Sequence, residues 1–222
     1  LMADPGTVAR CVERMVRATT LPVTVKCRIG IDDQDPEAVL PAFVRRLRDA
    51  GCARVIVHAR KAWLNGLSPS ENRTIPPLDH DLVYRLKQQF PDLPIILNGG
   101  LETLAEAESA LTRVDGVMLG RAAYHRPWLL AEVDQRVYAL PSVDPVRTRR
   151  DALQAYLPYV ARQLAAGVPL AAMSRHLLGL YTGVPGGRRF RRVISEQAHR
   201  PGAGIDVLLA AADAVDAQVG TP

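Results

Sequence analysis

Cysteine is scarce and odd in number. The three residues Cys11, Cys27 and Cys52 are too few and too far apart for a disulfide framework or a metal knuckle. They read instead as small buried hydrophobes in a reducing compartment. No apolar run approaches the ~18–20 residues that a membrane span needs. The opening stretch LMADPGTVARCVERMV is polar and helix-like, unlike a secretory leader. The expectation is a cytoplasmic monomer with no membrane and no metal partner. Without a secretory signal, the Asn72-Arg73-Thr74 sequon carries no expectation of a glycan. Low-complexity tracts are missing too, as is any internal repeat beyond a strand–helix alternation. The chain opens on Leu1 rather than methionine, which leaves room for a start upstream.

Acidic residues are outnumbered, and the imbalance is local. Within a net charge of +5, residues 141–200 hold ten arginines against Asp144, Asp151 and Glu196, an excess of +7. The last segment, 201–222, has only Asp206, Asp213 and Asp216. Such a patch suits a polyanionic partner such as nucleic acid, with a solvated basic surface as the plainer alternative.

Asp4-Pro5 joins an N-cap to a proline in the first helical turn and predicts an amphipathic helix to about Ala18. Asp35-Pro36-Glu37 repeats the signature for a helix ending at Gly51, and Asp79 and Thr103 cap two more. Between them lie short apolar strands: Pro22–Cys27, Ala53–His58, Pro94–Asn98 and Gly116–Gly120. Strands alternating with amphipathic helices mean parallel strands with helical crossovers. Four such units make half of an eight-fold (β/α) barrel, or else a small open parallel sheet. A helix is expected around Pro127–Tyr138, then a linker at Pro141–Pro145. Beyond it the strand pattern stops, and 147–166, 169–180, 187–199 and 203–217 read as helices. The expected division is therefore an α/β unit over 1–140 and an all-α unit over 141–222.

Polar residues gather where the predicted strands end: Lys26-Cys27-Arg28, His58-Ala59-Arg60-Lys61, Asn98-Gly99-Gly100 and Gly120-Arg121. In a (β/α) barrel the C-terminal strand ends form the active-site rim, so these groups would converge on one mouth. The two glycine-bearing ends fit a phosphate site, where glycine lets the backbone approach an anion and Arg121 supplies a cationic fork. Lys26 in an apolar strand needs an anion, either a ligand or a buried carboxylate. His58 is a ligand contact or a satisfied core histidine.

The segments TVKCRIGIDD, IVHARKAWLNGLSPSENRTIPPL, ILNGG, VDGVMLGRAAYHRPWLL and SRHLLGLYTGVPGGRRFRR resemble successive signatures of the tRNA-dihydrouridine synthases, A subfamily. The resemblance runs from about Leu1 to His199 in the family's order. It implies the C-terminal half of a (β/α)8 TIM barrel followed by a helical tRNA-binding domain, with FMN as cofactor and NADPH as reductant. By resemblance Lys26 lies near the pyrimidine edge of the flavin. His58, Asn98, Gly99, Gly100, Gly120 and Arg121 match the other FMN contacts, the last four around the phosphate. Ser70 and Arg73, in the long loop after the second strand, match positions that touch tRNA, as do Arg188 and Arg191 in the helical part. Ser70 stands where the family often has Lys, and Cys27 where it usually has His.

The same resemblance implies something missing. The family's Asn-x-Gly-Cys-Pro loop, whose cysteine protonates uridine, belongs to an earlier half of the barrel, and none of the three cysteines here lies in such a loop. The expected function is uridine reduction in tRNA by the parent protein, with this chain inactive alone. The rivals are a non-catalytic RNA-binding remnant and another phosphate-binding barrel enzyme, an aldolase or a metabolic flavin dehydrogenase.

Overall fold

The computed structural model describes residues 1–140 and 146–219. Side-chain caps set where its helices begin. Asp4 accepts the Thr7 N–H at 3.0 Å, and α1 runs Pro5–Ala18. Asp35 accepts the Glu37 N–H at 3.1 Å for α2, Pro36–Asp49. Asp79 accepts the Leu82 N–H at 2.9 Å for α3, His80–Gln89. Thr103 and Glu106 form a reciprocal capping box at α4, Leu104–Leu111. Each cap satisfies backbone donors that a helix end would otherwise leave unpaired.

Between these helices lie β1 (Thr24–Arg28), β2 (Arg54–His58), β3 (Ile95–Asn98) and β4 (Gly116–Met118). They form one parallel sheet in the order β1-β2-β3-β4. Consecutive parallel neighbours joined by right-handed crossovers carry their helices on one face. The core shows this: Cys27, Val55, Val57, Ile95 and Leu97 meet Val12, Leu40, Phe43, Leu47, Leu82, Leu86 and Ala110 from α1 to α4. Positions of the other parity, including Lys26, Ile56 and Ile96, belong to the opposite face. This one-sided layering is that of (β/α) barrels, whereas doubly wound sheets carry helices on both faces. Asp115 ties β4 to β3 by accepting the Ile95 N–H at 2.8 Å and pairing with Lys87 at 2.9 Å.

The chain divides into two compact units, Leu1–Gly120 and Arg121–Pro222. This division falls ahead of the 140/141 boundary read from the sequence, because the segment after β4 associates with the helices that follow. It forms α5 (Arg121–His125), a 3-10 turn over Pro127–Glu132 and α6 (Val133–Tyr138), not one continuous helix. Trp128 in that turn packs against the second core, and the Arg149 guanidinium lies 4.9 Å from its ring centroid. The expected linker at 141–145 lies outside the described residues.

The second unit continues with α7 (Arg149–Ala165), α8 (Leu170–Ser174), α9 (Gly187–Gln197) and α10 (Ile205–Val219). Here the predicted helix over 169–180 is corrected: it ends at Ser174 and becomes turns such as Leu177 N–H to Ser174 O at 2.9 Å. Within those turns Gly179 lies so close to the His125 carbonyl that a Cβ there would collide with it. Two of the basic segment's arginines are structural. Arg149 donates to Leu180 O at 3.0 Å, and Arg150 pairs with Asp213 and Asp216 at 2.8 and 2.6 Å. No helix among the described residues is long and apolar enough to cross a membrane.

Phe190, fully buried and 4.5 Å from the Tyr181 ring, anchors the second core. Phe190→Ala should lower stability by about 3–5 kcal/mol. Tyr181 is different: its buried hydroxyl makes no hydrogen bond among the described residues, and burial pushes its pKa up. Tyr181→Phe should leave stability unchanged or raise it by up to ~1 kcal/mol, since it removes a desolvated, unpaired group. Urea unfolding of both variants checks the pair, and a large loss in Tyr181→Phe would contradict the account.

Candidate active site

The parallel register that buries one face also aligns the strand ends. Arg28, His58, Asn98 and Met118 are successive cross-strand partners, and Lys26 lies in the row two residues earlier with Ile56, Ile96 and Gly116. Lys26, His58 and Asn98 are thereby brought to one end of one face. Lys26 is exposed on that face, so the buried carboxylate pair considered from sequence is not there: no carboxylate pairs with it among the described residues. Partial desolvation first, and then the charge of Arg28, push its pKa below the usual lysine value. A cation in that setting is poised for an anionic ligand.

After Asn98 the backbone turns through Gly99 (φ +104°) and Gly100 (φ +72°), a conformation that favours glycine. Space presses on glycine as well: a Cβ on Gly99 would strike the His58 ring, and one on Gly100 would displace the tip of the Leu78 side chain. Asn98 Nδ2 donates to Met118 O at 2.7 Å, bracing β3 against β4. The Gly99 carbonyl accepts from His80 Nε2 at 2.8 Å, which assigns that ring nitrogen as the protonated one. His80 was not a candidate from the sequence, where it reads only as the residue after a cap. Gly120 differs, since nothing lies within 4 Å of where its Cβ would be. Arg121, exposed, opens α5 and belongs to the second unit.

The loop between β2 and α3 is built rather than loose. Arg28 donates to Lys61 O at 2.9 Å and Asn72 O at 2.7 Å. Asn72 accepts the Trp63 N–H and donates to Trp63 O, both at 2.8 Å, so its amide is committed inside the loop. Asp32, at φ +44°, accepts the Leu64 N–H at 2.8 Å. Ser70 and Arg73 flank and end a 3-10 turn on this frame, both exposed. Arg28 has its pKa lowered by burial and by Arg73 and Arg60, so three guanidinium groups share this region. Arg28 and Arg60 both donate to backbone carbonyls there and so hold the loop. Asn72 carried no expectation from the sequence, and Arg28, expected among the strand-end groups, holds backbone distant in sequence. In the second unit Arg188 is exposed on α9, while half-buried Arg191 lines a cavity.

A family model described as dihydrouridine synthase matches residues 1–216 of the chain. A protein named tRNA-dihydrouridine(20/20a) synthase from Xanthomonas campestris pv. campestris is 53% identical over 218 residues, covering 98% of this chain and 64% of that protein. One of the same name from Vibrio cholerae is 50% identical over 209 residues, covering 94% and 63%. The chain thus spans a little under two thirds of these relatives' length. Among solved structures, a mandelate oxidase with benzoyl-formic acid aligns at TM-score 0.35 and 14% identity over 95% of this chain and 67% of that one, too loose a likeness to carry an argument.

None of the cysteines stands at the strand-end row. Cys11 is exposed on α1, and Cys52 is buried before β2, its thiol 3.2 Å from Arg54 O and its pKa raised by burial. Cys27 is buried on the helix-covered face, where burial pushes its thiol up to about 12. Since the thiolate is the reactive form, iodoacetamide at about pH 8.5 should label Cys11 and spare Cys27 and Cys52 in the folded protein. Mass spectrometry of the alkylated peptides checks this, and fast labelling of Cys27 would mean that its strand is not packed as described.

Proposed function

The chain belongs to the dihydrouridine synthase family, and on that premise we propose that it is the C-terminal half of a (β/α)8 barrel with a helical tRNA-binding appendage. The whole protein reduces uridine in tRNA to 5,6-dihydrouridine, with FMN as cofactor and NADPH as reductant. The observation that carries this reading is the strand-end row of Lys26, His58 and Asn98 running into the Gly99–Gly100 turn.

The row fits a phosphorylated, ring-bearing cofactor. Gly99 and Gly100 turn the backbone at positive φ and carry no side chain, so the backbone can lie close to a ligand. Lys26 is a partly desolvated cation without a carboxylate partner among the described residues, suited to negative charge on a flavin ring. FMN, when bound, supplies the hydride chemistry that reduces the uracil C5–C6 bond. The chain's own residues have simpler tasks. Lys26, His58 and Asn98 orient the ring, and Gly99, Gly100, Gly120 and Arg121 hold the phosphate. Ser70 and Arg73 in the loop, with Arg188 and Arg191 on α9, bear on tRNA. The proton for uracil C5 comes from a group outside this sequence, because the one exposed thiol, Cys11, sits on the first helix.

A chimera tests this directly. The 222-residue chain with tRNA, FMN and NADPH should form no dihydrouridine. Fusing it to the part of the Xanthomonas campestris relative that it does not span should restore turnover. An inactive but flavin-loaded chimera would count against the proposed chemistry, and turnover by the chain alone would overturn the assignment of the proton donor. In the active chimera, Arg121→Ala should weaken FMN by roughly 1.5–3 kcal/mol, the scale of a hydrogen bond to a charged group. Flavin fluorescence titration reads it, and an unchanged Kd removes Arg121 from the phosphate site.

A further inference from the structure

A cavity of about 530 Å³ opens within the helical unit, inside the ~300–1,000 Å³ range of small-ligand sites. Tyr124, His125 and Arg126 line it from α5 and the following residue, Arg175 and His176 from the turn after α8, and Arg191 from α9. No lining residue is acidic. No carboxylate pairs with Arg175 or Arg191 among the described residues.

The hydrogen bonds give the cavity a direction. Arginine only donates, so the 3.2 Å contact from Arg175 Nε makes His176 Nε2 an acceptor. The imidazole proton is then on Nδ1, and at 2.9 Å it is donated to the Tyr124 hydroxyl oxygen. Tyr124 thus keeps its own O–H to donate elsewhere. With three guanidinium groups and one hydroxyl proton, the cavity is rich in donors and poor in acceptors, which selects an anionic, acceptor-rich ligand. Guanidinium groups alone would suffice for a bare anion. The Tyr124 ring adds something else: it is 55% exposed, yet braced edge-on by His125 at 5.4 Å and His176 at 5.9 Å. A braced, exposed ring is a stacking surface for a flat group attached to the anion.

We propose that this cavity binds one nucleotide of an RNA strand, its phosphate among Arg126, Arg175 and Arg191 and its base against Tyr124. The inference rests on the reading that the chain acts on tRNA. It adds the base-stacking tyrosine and two arginines from outside α9, with His176 as a positioning residue that fixes the Tyr124 hydroxyl.

The test is binding of fluorescent tRNA to the full 222-residue chain at several salt concentrations, with NADPH binding measured in parallel. Arg175→Ala should weaken tRNA binding several-fold and flatten the slope of log affinity against log salt by about 0.7, the release expected for one single-strand phosphate contact. Tyr124→Ala should weaken binding by about tenfold with a parallel salt slope, as expected for lost stacking, and Tyr124→Phe should retain most of the affinity. Arg175→Lys should keep the wild-type slope, separating lost charge from a lost fold. Wild-type chain that does not bind tRNA would overturn the tRNA reading and this inference together. Wild-type binding with both alanine variants unchanged in affinity and slope would overturn this inference alone. Loss of NADPH affinity with tRNA affinity intact would assign the cavity to the free dinucleotide and overturn the RNA assignment.

Discussion

Burying one face of a four-stranded parallel sheet under its helices is the constraint on which the first unit depends. Cys27, Val55, Val57, Ile95 and Leu97 lie under α1 to α4, and the strand period of two sends Lys26, Arg28, His58 and Asn98 to the other side. A one-residue slip of β1 would carry Lys26 and Arg28 into the hydrocarbon layer, so the core enforces the register. The same register sets the polar strand ends in a row. Packing and site are therefore one arrangement seen from opposite faces of the sheet.

That row would be of little use on a loose rim, and several contacts stiffen it. His80 holds the Gly99 carbonyl from the start of α3, and Asn98 braces β3 against β4. Arg28 fastens two carbonyls of the long loop, which Asn72 closes from within and Asp32 ties to the segment between β1 and α2. These side chains hold backbone in place, and in doing so they pre-organise the surface on which Ser70 and Arg73 are displayed.

In the helical unit the arginines fall into two kinds. Arg149 and Arg150 are engaged with Leu180 O, the Trp128 ring, Asp213 and Asp216, and they join α7 to its neighbours. Arg188 is exposed, and Arg175 and Arg191 line a cavity without a carboxylate partner among the described residues. Charge counting treats all of them alike. Only the second kind leaves positive charge for a partner, so the basic excess of residues 141–200 overstates what is on offer.

Local chemistry was legible from the sequence. Asp4, Asp35, Asp79 and Thr103 cap the helices predicted from them, and the β-branched runs form strands within a residue or two of expectation. Such signals act over a few residues, as hydrogen bonds to the next turn or as the alternation of one strand. The glycine pair after Asn98 was legible for the same reason, a backbone need expressed by the residue itself. The expected helix over 169–180 stops at Ser174 and gives way to turns in which Gly179 packs against the His125 carbonyl, and the division at Gly120 goes with the packing of Trp128 on the second core. Lys26 has no carboxylate partner among the described residues, Arg28 holds the loop, and Tyr124, 52 residues before His176, shares a hydrogen bond with it. The sequence by itself determined the elements, their order and the residue types at the strand ends. The tertiary structure alone decided which polar groups are left without a partner, because that depends on neighbours that folding brings from far along the chain.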